Sequence, residues 1–530
     1  VITKLNEQEK ELLMKYLLKH FSKSQIKQLV QKYSLSQLRK YLAEINIEYF
    51  ALAYFPKYFF RQFGEFHTEL LEELKSLIKH EGNRLLYVIP RNHGKSTVIS
   101  FLFPLWLLLF RKKEFILIVS ASDELAISLM NDVKAELSSN ETIIEDFGNL
   151  KSSEKWSAQE IWLNNNTCCM ARGILSTLRG IKWRGRRPEI VLCDDILVDS
   201  MVESESKNEK VKNLFKEAVL NLGDSYTNYL VVGTTLSEDD LVSDLLKPES
   251  TGWKKIKKQA VLSFSDSPLW EEWEKIYTDL NNKNREQDAY SFFIANEYEM
   301  NKDTQVLWSD RWTYHDLMKK KIDDGDISFW KELMNEPKSA GEYIFHNIHF
   351  WDKLPDFSQM EIVMYIDPAI KNGKKNDFSA ITILGRERQT KAKYVIDGSI
   401  HKVLPDELFK IAIEKLKQFP VDRIGFETVQ AQSYMKQKFE EEIYKAQLYT
   451  PVIAVTSKTN KHSRIVSLQP DIQAGYIQFN PANRLYNNQV KDYSAKAKND
   501  DAPDSLYGAV SVLDKYSSIE TLPSNLLFGN

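Results

Sequence analysis

Apolar positions fall into two kinds of run along the chain. Between about residues 55 and 260, the strand-length runs "LLYVI", "FILIVSA", "EIVLCDD" and "NYLVVGTT" alternate with stretches of helical character. That alternation predicts an α/β domain around a mostly parallel sheet. Ahead of it, dense Leu, Lys, Gln and Glu without glycine predict several short helices. Residues 265 to 355, rich in Trp, Asp, Glu, Lys and Asn, predict a helical connector. A second strand-rich block spans 361 to 515, and the last fifteen residues read as a loose tail.

Composition narrows the picture. The 530 residues allow about three domains of typical size. A net charge of −3 means that nucleic-acid contacts must come from local basic patches. Cys168, Cys169 and Cys193 have neither disulfide-framework nor metal-finger spacing, which fits a reducing intracellular setting. The charged, amphipathic start shows no signal peptide. The most apolar stretch, Val98 to Phe110, is shorter than the ~20 residues a membrane span needs and contains Pro104. It is expected as a core helix, kinked at the proline or begun late there.

Just before that stretch lies "LLYVIPRNHGKSTVIS". Gly94, Lys95 and Ser96 supply the second half of a phosphate-binding P-loop, but Ile89 stands where its first glycine belongs. The setting, an apolar strand before and a helix after, is the one such a loop requires. Loop N–H groups would hold phosphates, Lys95 would neutralise their charge and Ser96 would help bind Mg²⁺. "EIVLCDDILVD" adds Asp194 and Asp195 at a strand's C-terminal end, where ligands bind in open parallel sheets. Asp194 would serve the metal and Asp195 the attacking water; the ordinary alternative is acids capping the next helix. Thr234, after "YLVVG", is placed to sense the terminal phosphate. The run from Arg172 through Arg179, Lys182, Arg184, Arg186 and Arg187 reads either as a solvated loop or as DNA-phosphate contacts plus an arginine finger.

The second block carries a different constellation. Asp367 ends the strand "EIVMYID", Glu427 lies within "RIGFETV", and Asp501 and Asp504 are one helical turn apart in "NDDAPDSLYGAVSVL". Acids on a first strand, a fourth strand and a final helix are what a ribonuclease-H-like nuclease needs to bind two divalent ions, which clamp the attacking water and the leaving oxygen. Each acid alone has an ordinary reading as a turn, strand-end or cap residue. Glu427 is the hardest to explain so, because a carboxylate among buried strand residues is costly without a partner. Lys371, Lys374 and Lys375 follow Asp367 as a basic loop, expected to contact DNA.

These motifs, in this order from about Phe59 to Val510, resemble those of the large terminase subunit of tailed bacteriophages, the motor-nuclease that packages DNA into preformed capsids. "FGEFHTELLEEL" resembles the segment that flanks the adenine, with Phe66 against the base. "PRNHGKST" resembles the family's deviant P-loop, in which an arginine follows the strand and the first glycine is often absent. "VVGTTL" is similar to the coupling motif, and "YIDPA", "GFETV" and "DDAPDSL" resemble the segments with the nuclease acids.

The resemblance implies a fold: an α/β chain with an N-terminal P-loop (ASCE-type) ATPase domain and a C-terminal ribonuclease-H-like nuclease domain. The expected divisions are 1–55, a helical extension; 56–265, the ATPase core; 266–358, a connector or lid; 359–515, the nuclease; and 516–530, a tail. It also implies a nucleotide site built from Pro90, Arg91, Asn92, His93, Gly94, Lys95, Ser96 and Thr97, with ATP and Mg²⁺ as cofactors. Asp194 would hold the metal and Asp195 act as catalytic carboxylate. Arg91 would reach the phosphates within the subunit, and Arg179, or alternatively Arg184, would act on a neighbour. Asp367, Glu427 and Asp504, joined by Asp501, would bind two Mg²⁺ or Mn²⁺ ions. Lys461 and Arg464 would hold DNA phosphates. Implied partners are double-stranded DNA, a small terminase subunit, the portal protein and further copies of the chain in a ring, expected as a pentamer. The implied location is the host cytoplasm and transiently the procapsid portal, with no membrane. Asp195 in place of the commoner glutamate, and Asn499 where many relatives have histidine, depart from the family pattern. Competing readings are a helicase-like ATPase with a silent nuclease fold, a recombination nuclease with an ATPase switch, and a DNA-binding structural protein with decayed sites.

Overall fold

A computed structural model describes residues 7–79, 81–202, 204–337, 344–345, 348–368, 378–428, 433–456, 459–494, 497 and 499–515. The chain divides into two compact units, Val1–Phe264 with Asp303–Met318 and Ser328–Lys338, and Ser265–Lys302 with Lys319–Ile327 and Ser339–Asn530.

The first unit is built on eight strands: β1 (Arg84–Val88), β2 (Phe115–Ser120), β3 (Lys151–Trp156), β4 (Glu160–Leu163), β5 (Thr167–Gly173), β6 (Ile190–Asp194), β7 (Asn228–Gly233) and β8 (Lys254–Lys257). Their order is β3-β4-β5-β2-β6-β7-β1-β8. From β5 to β8 every pairing is parallel, while β3, β4 and β5 form an antiparallel margin. Strands β2, β6 and β7 are buried along their whole length, which explains their near-continuous apolar runs. Strand β7 separates β1 from β6, so one strand intervenes between the P-loop strand and the strand ending in Asp194.

Residues 7–54 join this unit's core. Helices Glu7–His20, Lys23–Lys32, Leu35–Ile45 and Ile47–Tyr54 follow one another closely, the last three each starting at a polar cap. Ser22 with Gln25 and Ser34 with Gln37 form capping boxes, and Asn46 caps the fourth helix. Their apolar faces merge with one layer of the sheet's core through Leu17, Leu42 and Phe50. Trp106 Nε1 donates to Ala43 O at 2.9 Å. Buried Arg39 is held by Asp146 at 2.8 Å. A short pair, β9 (Val261–Ser263) with β10 (Gln305–Val306), completes the unit.

The second unit contains a helical cluster centred on Trp273, Tyr277 and Phe293, and a seven-stranded sheet. Its strands are β11 (His349–Phe350), β12 (Met360–Asp367), β13 (Ser379–Glu387), β14 (Lys393–His401), β15 (Arg423–Glu427), β16 (Val452–Val455) and β17 (Ile477–Phe479), in the order β11-β17-β14-β13-β12-β15-β16. Strands β12, β13 and β14 pair antiparallel, and β15 and β16 continue parallel to β12. The core therefore reads third, second, first, fourth, fifth in chain order, the ribonuclease-H-like arrangement. Helix Asp501–Lys515 packs its buried face on this sheet. Among the described residues, no helix is long and apolar enough to cross a membrane.

Candidate active sites

Strand β1 delivers the chain into the loop Ile89–Ser96. Ile89 N–H donates to Gly233 O, tying the loop to the end of β7. Asn92 (φ 63°) and Gly94 (φ 75°) adopt left-handed backbone, which turns the chain sharply without a glycine at position 89. Thr97–Leu102 then winds as a π-helix, and Phe103–Leu109 continues as an α-helix. Pro104 sits in the first turn of the α-helix, where a missing N–H costs least. The proline thus marks a change of helix type.

The acids of β6 meet this loop. Lys95, nearly buried, places Nζ 2.7 Å from Asp195 Oδ1. Asp195 has φ 42°, a conformation that Asp tolerates better than most residues, and strain of this kind gathers at functional sites. Ser100 Oγ donates to Asp194 Oδ2 at 2.7 Å, and the Ser96 hydroxyl also favours the charged form of Asp194. The other oxygen, Oδ1, is buried without a hydrogen-bond partner. An orphaned carboxylate oxygen beside a P-loop serine fits a hydrated Mg²⁺. Burial, with the Asp195 charge behind it, pushes the Asp194 pKa up to about 6. Thr234 is buried just past the end of β7, between the P-loop and the Asp194 strand.

Two contacts here have no counterpart in the sequence expectations. Ser100 lies four residues after Ser96 on the same helix, and that spacing was the available signal. Glu332, far away in sequence, accepts the Arg91 N–H at its backbone oxygen and lies 3.1 Å from Arg91 Nε; no local pattern announces it.

Phe66 departs from its expected role. Its ring is 2% exposed and packs against His67, His93 and Trp308. It supports the P-loop from behind and has no open face for a base. Arg184 and Arg186 lie by the start of β2, with Arg186 paired to Glu114 and Arg184 to Glu154. That is the N-terminal end of the parallel strands, opposite the P-loop. Arg187 is half-buried. Arg179 is exposed and has no ion pair or hydrogen bond among the described residues.

In the second unit, β12 and β15 run parallel with Ile366 beside Phe426, so their terminal residues Asp367 and Glu427 emerge side by side. The final helix adds Asp504, and one carboxylate oxygen from each of the three lies within 4.8 Å of the others. Three hard oxygen donors at this spacing fit Mg²⁺ or Mn²⁺. Burial, then the Glu427 charge and a hydrogen bond to it, raises the Asp367 pKa well above the usual carboxylate range. Burial also raises that of Asp504, against Lys461 and Arg464.

Those two cations stand against the acids themselves. Arg464 Nη2 lies 2.8 Å from Asp504 Oδ2 and 3.5 Å from Glu427 Oε1. Lys461 Nζ lies 3.2 Å from Asp504 and 2.8 Å from Asp500. Both therefore act as counter-charges to the acids. Burial alone would lower the Lys461 pKa, but Asp504 and Asp500 outweigh it and hold it up. Asp501 does not join the metal cluster; Gln489 Nε2 lies 3.5 Å from its Oδ2 instead. Lys371, Lys374 and Lys375 lie outside the described residues.

Neither protein-family profiles nor curated protein sequences match the chain. Solved structures do. The large terminase of a thermophilic bacteriophage is similar at 10% identity and a TM-score of 0.48, over 86% of this chain and 100% of that one. The same protein in complex with ADP gives 9% identity and a TM-score of 0.45, over 85% and 100%. The nuclease domain of the P22 large terminase is similar at 13% identity and a TM-score of 0.26, over 32% of this chain and 93% of that one.

Proposed function

We propose that this protein is a DNA-packaging motor of the large-terminase type, which hydrolyses ATP to move double-stranded DNA and cuts it with a second, metal-dependent site. The observation that carries the reading is the pairing of two complete constellations on one chain: Lys95, Ser96, Asp194 and Asp195 at a P-loop, and Asp367, Glu427 and Asp504 on a ribonuclease-H-like sheet. The order of the sequence motifs supports the same assignment.

In the nucleotide site, the terminal phosphates would replace Asp195 as the partner of Lys95. Asp195 is then free to orient the attacking water, and Ser96 and Asp194 would hold Mg²⁺, which supplies charge neutralisation. Arg179, exposed and uncommitted, is our choice for the residue given to a neighbouring subunit. In the nuclease site, the three acids would hold two divalent ions that activate water and stabilise the leaving oxygen. Arg464 and Lys461 would balance the acids until those ions bind. A ring on a capsid portal, a small-subunit partner and action in the host cytoplasm belong to the same proposal.

The test is DNA-stimulated ATP hydrolysis together with displacement of a third strand from a DNA triplex. Wild type is expected to do both, and Lys95→Ala to lose hydrolysis by about a hundredfold or more, the usual scale for removing a charge-stabilising group. Hydrolysis that survives the substitution, or separation of duplex strands, would contradict a translocating motor built on this P-loop.

A further inference from the structure

Arg91, the residue that would reach the phosphates, is already engaged. The segment from Phe329 to Glu336 belongs to the first unit and docks on the end of the sheet where β1 and β7 terminate. Glu332 O accepts the Arg91 N–H at 2.9 Å, and its carboxylate Oε2 stands 3.1 Å from Arg91 Nε. That contact lacks hydrogen-bond alignment, so it is an attraction that a better-placed anion can outcompete. The two side chains differ in freedom: Arg91 is 54% exposed and Glu332 11%. The arginine can swing while the glutamate stays.

The rest of the segment is pinned to neighbouring parts of the nucleotide site. Lys331 Nζ lies 2.8 Å from Asp199, just beyond the Asp194–Asp195 strand end, and 3.7 Å from Glu332. Leu333 O accepts the Ala260 N–H at 2.8 Å. Asn335, buried and left-handed (φ 53°), accepts the Thr235 N–H at 3.3 Å and donates to Lys258 O at 2.8 Å. One short segment thus touches the arginine after β1 and the threonine loop after β7, the two places that a terminal phosphate would meet. If Arg91 leaves, Lys331 remains beside Glu332, so its charge is not stranded.

We propose that Glu332 competes with the terminal phosphate of ATP for Arg91, which makes Phe329–Glu336 a nucleotide-sensitive latch. The inference rests on the ATP-site reading above and adds a positioning residue to it. In chain order the latch directly precedes the strands of the nuclease unit.

The experiment measures binding of ATPγS and of ADP to the full chain for wild type, Glu332→Gln, Glu332→Asp and the double variant Arg91→Ala/Glu332→Gln. Hydrogen exchange over residues 328–337 is followed in parallel. Glu332→Gln is expected to tighten ATPγS binding by about tenfold, a factor that corresponds to about 1.4 kcal/mol, and to change ADP binding much less. Glu332→Asp should return toward wild type, and the gain should vanish in the double variant. In wild type, ATPγS should speed exchange in the latch more than ADP does. An equal effect on both nucleotides, or a gain that persists without Arg91, would overturn the latch while leaving the ATP site standing. Failure of wild type to bind either nucleotide would overturn the ATP-site reading and the latch with it.

Discussion

His67 and His93 both pack on Phe66 and Trp308 behind the P-loop, as neutral groups. His67 Nδ1 accepts the Gly64 N–H at 3.0 Å, its Nε2 faces His93 O at 3.2 Å, and His93 Nδ1 faces Arg91 O at 2.9 Å. Burial lowers their pKa values from 6.5 to about 3 for His67 and about 4 for His93. The unfolded chain therefore binds protons more readily than the fold below pH 6.5. Their stabilisation is present above that pH and drains away as pH falls toward 4 and 3, by about 1.4 kcal/mol per pH unit for each residue. Hydrogen exchange in β1 and β7 should show protection falling from pH 7 to 5, and His67→Gln should flatten that slope. An unchanged slope would contradict the neutral pair. At this scale, acids at strand ends were legible in the sequence, because a carboxylate after an apolar run has few other uses. The fates of Phe66, Asp501, Lys461 and Arg464 were not, since each depends on which distant residue folds against it.

At the scale of elements, the site of Asp367, Glu427 and Asp504 depends on how closely the final helix approaches the sheet. Gly508 lies one turn beyond Asp504, and a Cβ there would overlap the Tyr365 ring; at Gly425 it would stand 2.6 Å from Val512 and 2.7 Å from Tyr365. The two glycines let Tyr365 fill the space between helix and strands, two residues before Asp367. Ser505, hydrogen-bonded to Thr382 at 2.8 Å, fixes the same helix to β13. Gly508→Ala is therefore expected to destabilise the second unit by about 1–3 kcal/mol and to abolish metal-dependent cleavage with ATP hydrolysis retained. Full cleavage by a stable Gly508→Ala protein would contradict the close approach. The strands β1, β2, β6, β7, β12 and β15 were readable as apolar runs. Strands β3 and β4 and edge strand β8 were not, because exposed, charged positions break their pattern. The π-helix also left no sequence signature.

For the whole molecule, the central claim is that one chain carries two separate metal-assisted sites, each assembled within its own unit. The order of motifs made that division legible. The merging of residues 7–54 with the core around the P-loop sheet, and the return of the segment from Ser328 to the first unit, were hidden because both depend on packing between segments far apart in sequence. The most direct measurement is cleavage of a supercoiled plasmid with Mn²⁺ or Mg²⁺, comparing wild type with Asp367→Asn. Metal-dependent cutting by wild type that disappears in the variant, with DNA-stimulated ATP hydrolysis intact in both, is the expected result. Equal cutting by the two proteins, or none from wild type under any divalent ion, would contradict it.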